Sequence, residues 1–335
     1  MNNRLSQLRR EISSLGEVNT AAISEYDEVS ERYGFLSGQR DDMINARAKL
    51  DKVISEMDSI MSRRFRDAYT RLSKAFDESF TRLFGGGSAG LELLDFRFNG
   101  WGDKFESRLD NAINRTIFDR GHILGGTYTD CLDFCLEGGS IETDGRGTLL
   151  TTAQCLLNPN RNPQYGQSEI EDILARRLGV NHFLWLTEGY LAGDDTDSHI
   201  DTLARLCPDN TILYVKCADS SDEHYADLQR MEEQIKAFRT PEGEPYRLIT
   251  VPMPPAVYDE EGDRLPATYA NYLVMDKAVL YPTYGSPETD ELARLAIIKA
   301  YPSREAVGVP CNALIRQHGS LHCATMQYPR GLRFA

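Results

Sequence analysis

Two periodicities divide the chain. From Arg4 to about Phe84, apolar and small residues recur at threes and fours, with Leu50, Ile54, Met57, Met61, Phe65, Ala68, Leu72, Phe76, Ser79 and Leu83 on one line and Asp, Arg, Lys and Glu between them. That spacing puts them on one face of a helix, and no proline interrupts it. Gly85-Gly86-Gly87 then ends the helix. Such a stripe either packs on the body of the protein or forms a coiled-coil-like arm, and the pattern leaves both open.

From Leu93 onward the repeat shortens. Leu94-Asp-Phe-Arg-Phe alternates as a strand does, and Asn99-Gly-Trp-Gly is turn chemistry. Ser140 to Thr152 predicts a strand, a turn at Asp144-Gly145 and a second strand. Further strands are expected at Phe183 to Leu186, Thr211 to Val215, Tyr246 to Val251, Tyr272 to Leu280 and Ala306 to Val309. Helices are expected at Glu169 to Leu178, Asp222 to Phe238 and Glu288 to Tyr301. Strand pairs alternating with single helices predict a quasi-repetitive α/β architecture rather than one doubly wound sheet.

The 335 residues suffice for one large or two smaller domains, and 41% hydrophobic residues suffice for a core. A net charge of -14 opposes a broad phosphate-binding surface and suits a small cationic substrate. Through Glu92 there are 14 Lys and Arg against 15 Asp and Glu; the remainder holds 23 against 36, so the acidity lies in the second part. Seven cysteines without CxxC spacing read as reduced thiols. With no membrane-length apolar run and no signal peptide at Met-Asn-Asn-Arg-Leu-Ser, a cytoplasmic protein is expected.

Leu15-Gly-Glu-Val-Asn, Glu31-Arg-Tyr-Gly-Phe-Leu and Phe80-Thr-Arg-Leu-Phe-Gly-Gly-Gly-Ser-Ala resemble the end of the C-terminal coiled coil of SMC chromosome-partition proteins, where it re-enters the ATPase head. The resemblance covers residues 1–92. No G-x-x-x-x-G-K-[ST] phosphate loop accompanies it, so this segment cannot bind ATP by itself.

The residues that could carry chemistry lie further on. Cys323 follows His322 in a glycine-led segment beginning at Gly319, and a thiol beside a histidine and a cation becomes nucleophilic; a small buried hydrophobe is the alternative. His199 and Asp201 alternate, so an extended backbone would point both to one face. Asp194, Asp195 and Asp197 precede them, as a solvated acidic loop or a site for oxygen-bound metal, although the glycine and glutamate positions of a calcium loop are absent. Glu137 precedes two glycines that permit a turn or the close approach of a ligand, with an exposed glutamate at a strand end as the default alternative.

Together, Leu136-Glu-Gly-Gly-Ser, Asp144 to Pro163, Gly193-Asp-Asp-Thr-Asp-Ser-His-Ile-Asp and Gly319-Ser-Leu-His-Cys-Ala-Thr-Met-Gln strongly resemble the agmatine deiminase and bacterial-type peptidylarginine deiminase family over residues 93–335. The resemblance implies a pseudo-fivefold α/β propeller of ββαβ blades around an acidic site. It implies Cys323 as nucleophile, His199 as acid and base, Glu137 and Asp201 as holders of the guanidinium, Asp197 and Gly319 at the substrate, and no metal or cofactor. The expected partner is a small guanidino cation, with neither nucleic acid nor membrane, and a homo-oligomer is compatible with the sequence.

Two features depart from the family. Gly-Ser-Leu-His-Cys stands where agmatine-specific members usually read Gly-Asn-Ile-His-Cys. The Trp-x-Arg-Asp-x-Gly-Pro element of the N-terminal blade, with its second guanidinium-binding aspartate, is not in the sequence. The expectation is therefore a chimeric chain joined near Leu91 to Asp95, an incomplete propeller behind a helical segment. Its function is either deimination, most simply of agmatine to N-carbamoylputrescine, or a non-enzymatic coiled-coil module carrying an impaired deiminase body.

Overall fold

The computed structural model describes residues 2–14, 30, 32–40, 44, 91–121 and 126–327. The chain divides into two units, Met1–Thr70 with Phe334–Ala335, and Arg71–Arg333. In the first, α1 (Asn2–Ser14) leaves Leu5, Leu8 and Ile12 exposed, and residues 32–40 are also helical. The stripe from Leu50 to Leu83 and the glycine run after it lie outside the described residues.

The second unit opens on β1 (Leu91–Arg97), α2 (Ile113–Asp119) and β2 (Gly126–Cys135), with β1 and β2 paired in parallel. β1 spans the expected junction and pairs with β2 through both of its ends. The chain then repeats one pattern three times. First come β3 (Ile141–Thr143), β4 (Thr148–Thr152), α3 (Gln167–Leu178) and β5 (His182–Leu186). Next are β6 (Ala204–Cys207), β7 (Thr211–Lys216), α4 (Tyr225–Ala237) and β8 (Arg247–Pro252). Last are β9 (Leu273–Val274), β10 (Ala278–Thr283), α5 (Pro287–Ala300) and β11 (Glu305–Pro310). In each, the first two strands are antiparallel and the helix returns the chain to a third strand parallel to the second. Among the described residues the quasi-repeat is thus three ββαβ units and one βαβ unit.

Local chemistry explains the boundaries. The β3–β4 turn forms because Asp144 Oδ1 accepts the backbone N–H of Arg146 (2.7 Å) and Thr148 (3.0 Å), while Gly145 and Gly147 take φ of 68° and 108°, where a side chain would be strained. Gly179, at φ 70°, ends α3 in the left-handed conformation. The helices bury one stripe each: Ile170, Ile173 and Leu174; Leu228, Met231 and Ile235; Ala293, Ala296, Ile297 and Ala300. The middle strands β4 and β7 are buried along nearly their whole length, and β7 accordingly carries the apolar run Ile212 to Val215. A larger core joins the last two repeats around Leu213, Tyr214, Tyr272 and Ile297, and a smaller one lies around Phe134, Leu149, Ile170 and Leu174.

Between repeats lie the segments that matter for function. Glu137 sits between β2 and β3, His199 and Asp201 between β5 and β6, Asn271 between β8 and β9, and Cys323 beyond β11. Every candidate group occupies the equivalent connection of its unit.

Candidate active site

His199 and Asp201 reach one place by a tighter turn than expected. Rather than an extended strand, Ile200–Thr202 is a turn of 3-10 helix that begins after His199. Asp197 and Ser198 before it hold φ of 65° and 63°, and the acidic run makes this possible. Asp194 accepts the backbone N–H of Thr196 (3.1 Å) and Ser198 (2.8 Å), so this carboxylate scaffolds the loop. Convergence shows at Gly139: a Cβ there would lie 2.5 Å from His199 Nδ1 and 3.2 Å from both carboxylate oxygens of Asp201. Glycine is the residue that lets the two side chains close over that connection.

Glu137 is buried, with one oxygen 2.5 Å from His199 Nε2. The expectation that it holds a substrate guanidinium meets a different arrangement, because an internal guanidinium is already there. Arg161, only 1% exposed, pairs its Nε and Nη2 with the two Glu137 oxygens at 3.0 Å each, and its Nη1 with Asp197 Oδ2 at 2.6 Å. Lys104 takes the other Asp197 oxygen at 2.7 Å. Glu137 and Asp197, both expected at the substrate, are engaged by the protein's own cations. Sequence reasoning missed Arg161, and only the Asn-Pro-Asn-Arg-Asn-Pro context could have drawn attention to it.

These contacts set protonation. Burial would favour a neutral His199, but contacts with Cys155 and Glu137 override it and hold the imidazole well above its usual range, as imidazolium. Burial would raise Glu137 and Asp201; His199 and Arg161 hold the first below the ordinary carboxylate range, and His322 with His199 the second. Glu137, Cys155 and His199 also offer three donor atoms within 4.8 Å of one another, the one such group among the described residues. Arg161 and the protonated His199 put positive charge where a metal ion would sit, so the cluster is better suited to an ion pair.

Cys323 completes the arrangement from the far end of the chain. It is an exposed residue, while the six other cysteines are buried. Gly319 permits its approach, since a Cβ there would be 3.0 Å from Cys323 Cβ. Protein packed on the inner side of the thiol, and then Asp201, push it up to about 11. Asp201 Oδ2 lies 4.0 Å from Sγ and accepts from Asn271 (3.0 Å) and pairs with His322 Nδ1 (2.8 Å). Asp201 Oδ1 is buried with no hydrogen-bond partner among the described residues. A buried carboxylate oxygen left open beside a thiol is suited to an N–H donor of a bound cation.

A buried histidine, a thiol and an open carboxylate thus lie at the connections of an α/β repeat. The chain belongs to the Porphyromonas-type peptidyl-arginine deiminase family, whose profile matches residues 21–329. The match includes most of the segment whose residues resemble the SMC coiled coil, and that second resemblance rests on the quoted residues alone. Among solved structures, the "Putative Arginine Deiminase" from Porphyromonas gingivalis is 52% identical, with a TM-score of 0.70 over 72% of this chain and 71% of that one. The C. jejuni agmatine deiminase is 39% identical, with a TM-score of 0.63 over 74% and 70%. A Marinomonas sp. protein called "Putative agmatine deiminase" is 32% identical over 70% of this chain and 68% of its own. The fold is accordingly the α/β fold of guanidino-modifying enzymes. Among the described residues no helix is long and apolar enough to cross a membrane.

Proposed function

We propose that this chain hydrolyses the guanidino group of a small cation, in the simplest case agmatine to N-carbamoylputrescine and ammonia. The observation that carries the reading is Asp201: buried, ionised, beside Cys323 Sγ, with Oδ1 free to accept a guanidinium N–H. A guanidinium is delocalised and a poor electrophile, so it must be fixed and polarised before a thiolate can add. Its positive charge also offsets the field of Asp201 on Cys323, so on binding the thiol releases its proton to solvent water and the thiolate then attacks the guanidinium carbon. His199, held as imidazolium, gives its proton to the departing amine, leaving a thiouronium on Cys323. The neutral imidazole then takes a proton from water, which adds to that carbon, releases the ureido product and restores the thiol. Glu137 orients and charges His199 in this scheme, and Arg161 holds Glu137.

The same geometry favours a second reading, of impaired activity. Glu137 and Asp197 are engaged by Arg161, which leaves Asp201 as the carboxylate adjoining the thiol among the described residues. If the residues before about 92 are a graft in place of the family's first blade, the clamp is one-sided and turnover is slow.

Ammonia and ureido release from agmatine, L-arginine and an arginine peptide, with the intact chain and with Cys323→Ala, tests the reading. Loss of product on substitution is expected. Equal background signals from both proteins on all three substrates would remove the deiminase reading and leave the impaired one.

A further inference from the structure

Two left-handed turns meet at Asp197, on the outer side of the site. Gly100, Trp101, Gly102 and Asp103 take φ of 65°, 58°, 90° and 61°, and Asp197 and Ser198 take 65° and 63°. Trp101, Asp103, Asp197 and Ser198 carry side chains that disfavour this region, so such runs persist only where contacts hold them. Asn99 holds the first turn: its Oδ1 accepts the Gly102 N–H (3.0 Å), and its Nδ2 donates to Asn160 O (2.7 Å), next to Arg161. That turn lies against the Arg161–Asp197 pair, since a Cβ on Gly102 would come 3.3 Å from Arg161 Nη1 and 3.4 Å from Asp197 Oδ2. Lys104 follows it and reaches the second turn at two points, with Nζ 2.5 Å from Asp195 O and 2.7 Å from Asp197 Oδ1.

We propose that Lys104 is a positioning residue: by bridging Asp195 and Asp197 it holds the strained turn from which His199 and Asp201 enter the site. Contacts of alternating charge run inward from it to Asp197, Arg161, Glu137 and His199, at 2.7, 2.6, 3.0 and 2.5 Å. The Lys104 side chain is 34% exposed, whereas Arg161, Glu137 and His199 are buried, so it ties the chain down at its solvent end. The turn needs an outer tie because Asp194, Asp195 and Asp197 fall within four residues and repel one another. Asp194 is spent on the N–H groups of Thr196 and Ser198, and Arg161 takes one oxygen of Asp197. Burial would raise Asp197, but Arg161 and Lys104 hold it below the ordinary carboxylate range, so both of its bonds are charge-assisted. Without Lys104, Arg161 is the cation left to Asp197 among the described residues, and the same guanidinium must also hold Glu137. A displacement of Asp197 then passes to His199, two residues further on.

The significance for turnover rests on the deiminase reading, but the test of the tie does not. Hydrogen exchange of the full chain is followed by mass spectrometry on a peptide spanning residues 194–201, in wild type, Lys104→Met and Lys104→Arg, and kcat and KM for agmatine are measured on the same preparations. Methionine keeps the length and removes the charge. Lys104→Met is expected to speed exchange of the Thr196 and Ser198 amides about tenfold and to leave β7 unchanged. Its kcat should fall about ten- to hundredfold with KM within about threefold of wild type, because displacing an acid and base harms the reaction more than binding. Lys104→Arg, which keeps charge and reach, should return both readouts to within about threefold of wild type. Lys104→Gln stands in should the methionine variant not fold. Wild-type exchange or wild-type kcat in the folded variant would overturn the assignment, as would exchange that rises equally in β7, the mark of a general loss of stability. If exchange rises at the turn while wild type turns over no guanidine, Lys104 keeps its hold on the turn and the deiminase reading falls; turnover with unmoved exchange is the reverse.

Discussion

At the scale of single residues, the site is a set of charges balanced against burial. His199 is the clearest case. Its folded pKa is raised above the ordinary value of about 6.5, so its imidazolium contributes stability that is full below that value and is lost as pH rises through the folded pKa. The melting-temperature gap between wild type and His199→Asn should therefore be widest near about pH 6 and shrink as the pH is raised. A gap that widens with pH would show a neutral His199 in the folded protein. Gly139 gives a second test. A methyl group there would meet His199 and Asp201, and in a buried, ion-paired site neither can move far. Gly139→Ala should cost about 1–3 kcal/mol of stability by overpacking, yet about a hundredfold in kcat/KM, because displacing reacting groups is far costlier to rate than to folding. A variant with normal kcat/KM would separate Gly139 from the chemistry.

At the scale of elements, the ββαβ repeat sets what the core can tolerate. Leu213 lies at the middle of β7, fully buried where the last two repeats meet. Leu213→Ala should lower unfolding free energy by about 2–5 kcal/mol in urea titration; a loss under about 1 would place that core elsewhere. The same strand shows why much of the fold was readable. β7, the β3–β4 hairpin and the three amphipathic helices carry local signals: an apolar run, an Asp-Gly turn and a helical stripe. β2 was missed because Gly-Thr-Tyr-Thr-Asp carries little apolar content, and β6 because Ala204 to Cys207 is only four residues long. At the site, Cys323, His199, Asp201 and Glu137 stood out because each sits in a turn-rich local motif. Arg161 and Asn271 did not, since their partners lie 24 to 70 residues away and no local pattern records such contacts. His199 and Asp201 were expected on an extended segment, but Asp194 caps the backbone into a tighter turn.

At the scale of the whole molecule, the net charge of -14 becomes a kinetic quantity. A cation approaching an acidic surface is steered, and salt screens that field over about 10 Å at 0.1 M. Raising NaCl from about 20 mM to about 500 mM should lower kcat/KM for a guanidino cation about three- to tenfold while leaving alkylation of Cys323 by neutral iodoacetamide unchanged. Equal sensitivity of both would point to a salt effect on structure. Sequence distance has a further consequence, for the order of events in folding. Cys323 lies 122 residues from Asp201, and His199 62 from Glu137. Contacts of that separation form only after the loops between them have been closed at an entropic cost. Until the last connection closes, Cys323 is a thiol without Asp201 and Asn271 beside it, the neighbours that surround it in the folded protein. The surroundings of this thiol are acquired late, with the closing of the last connection.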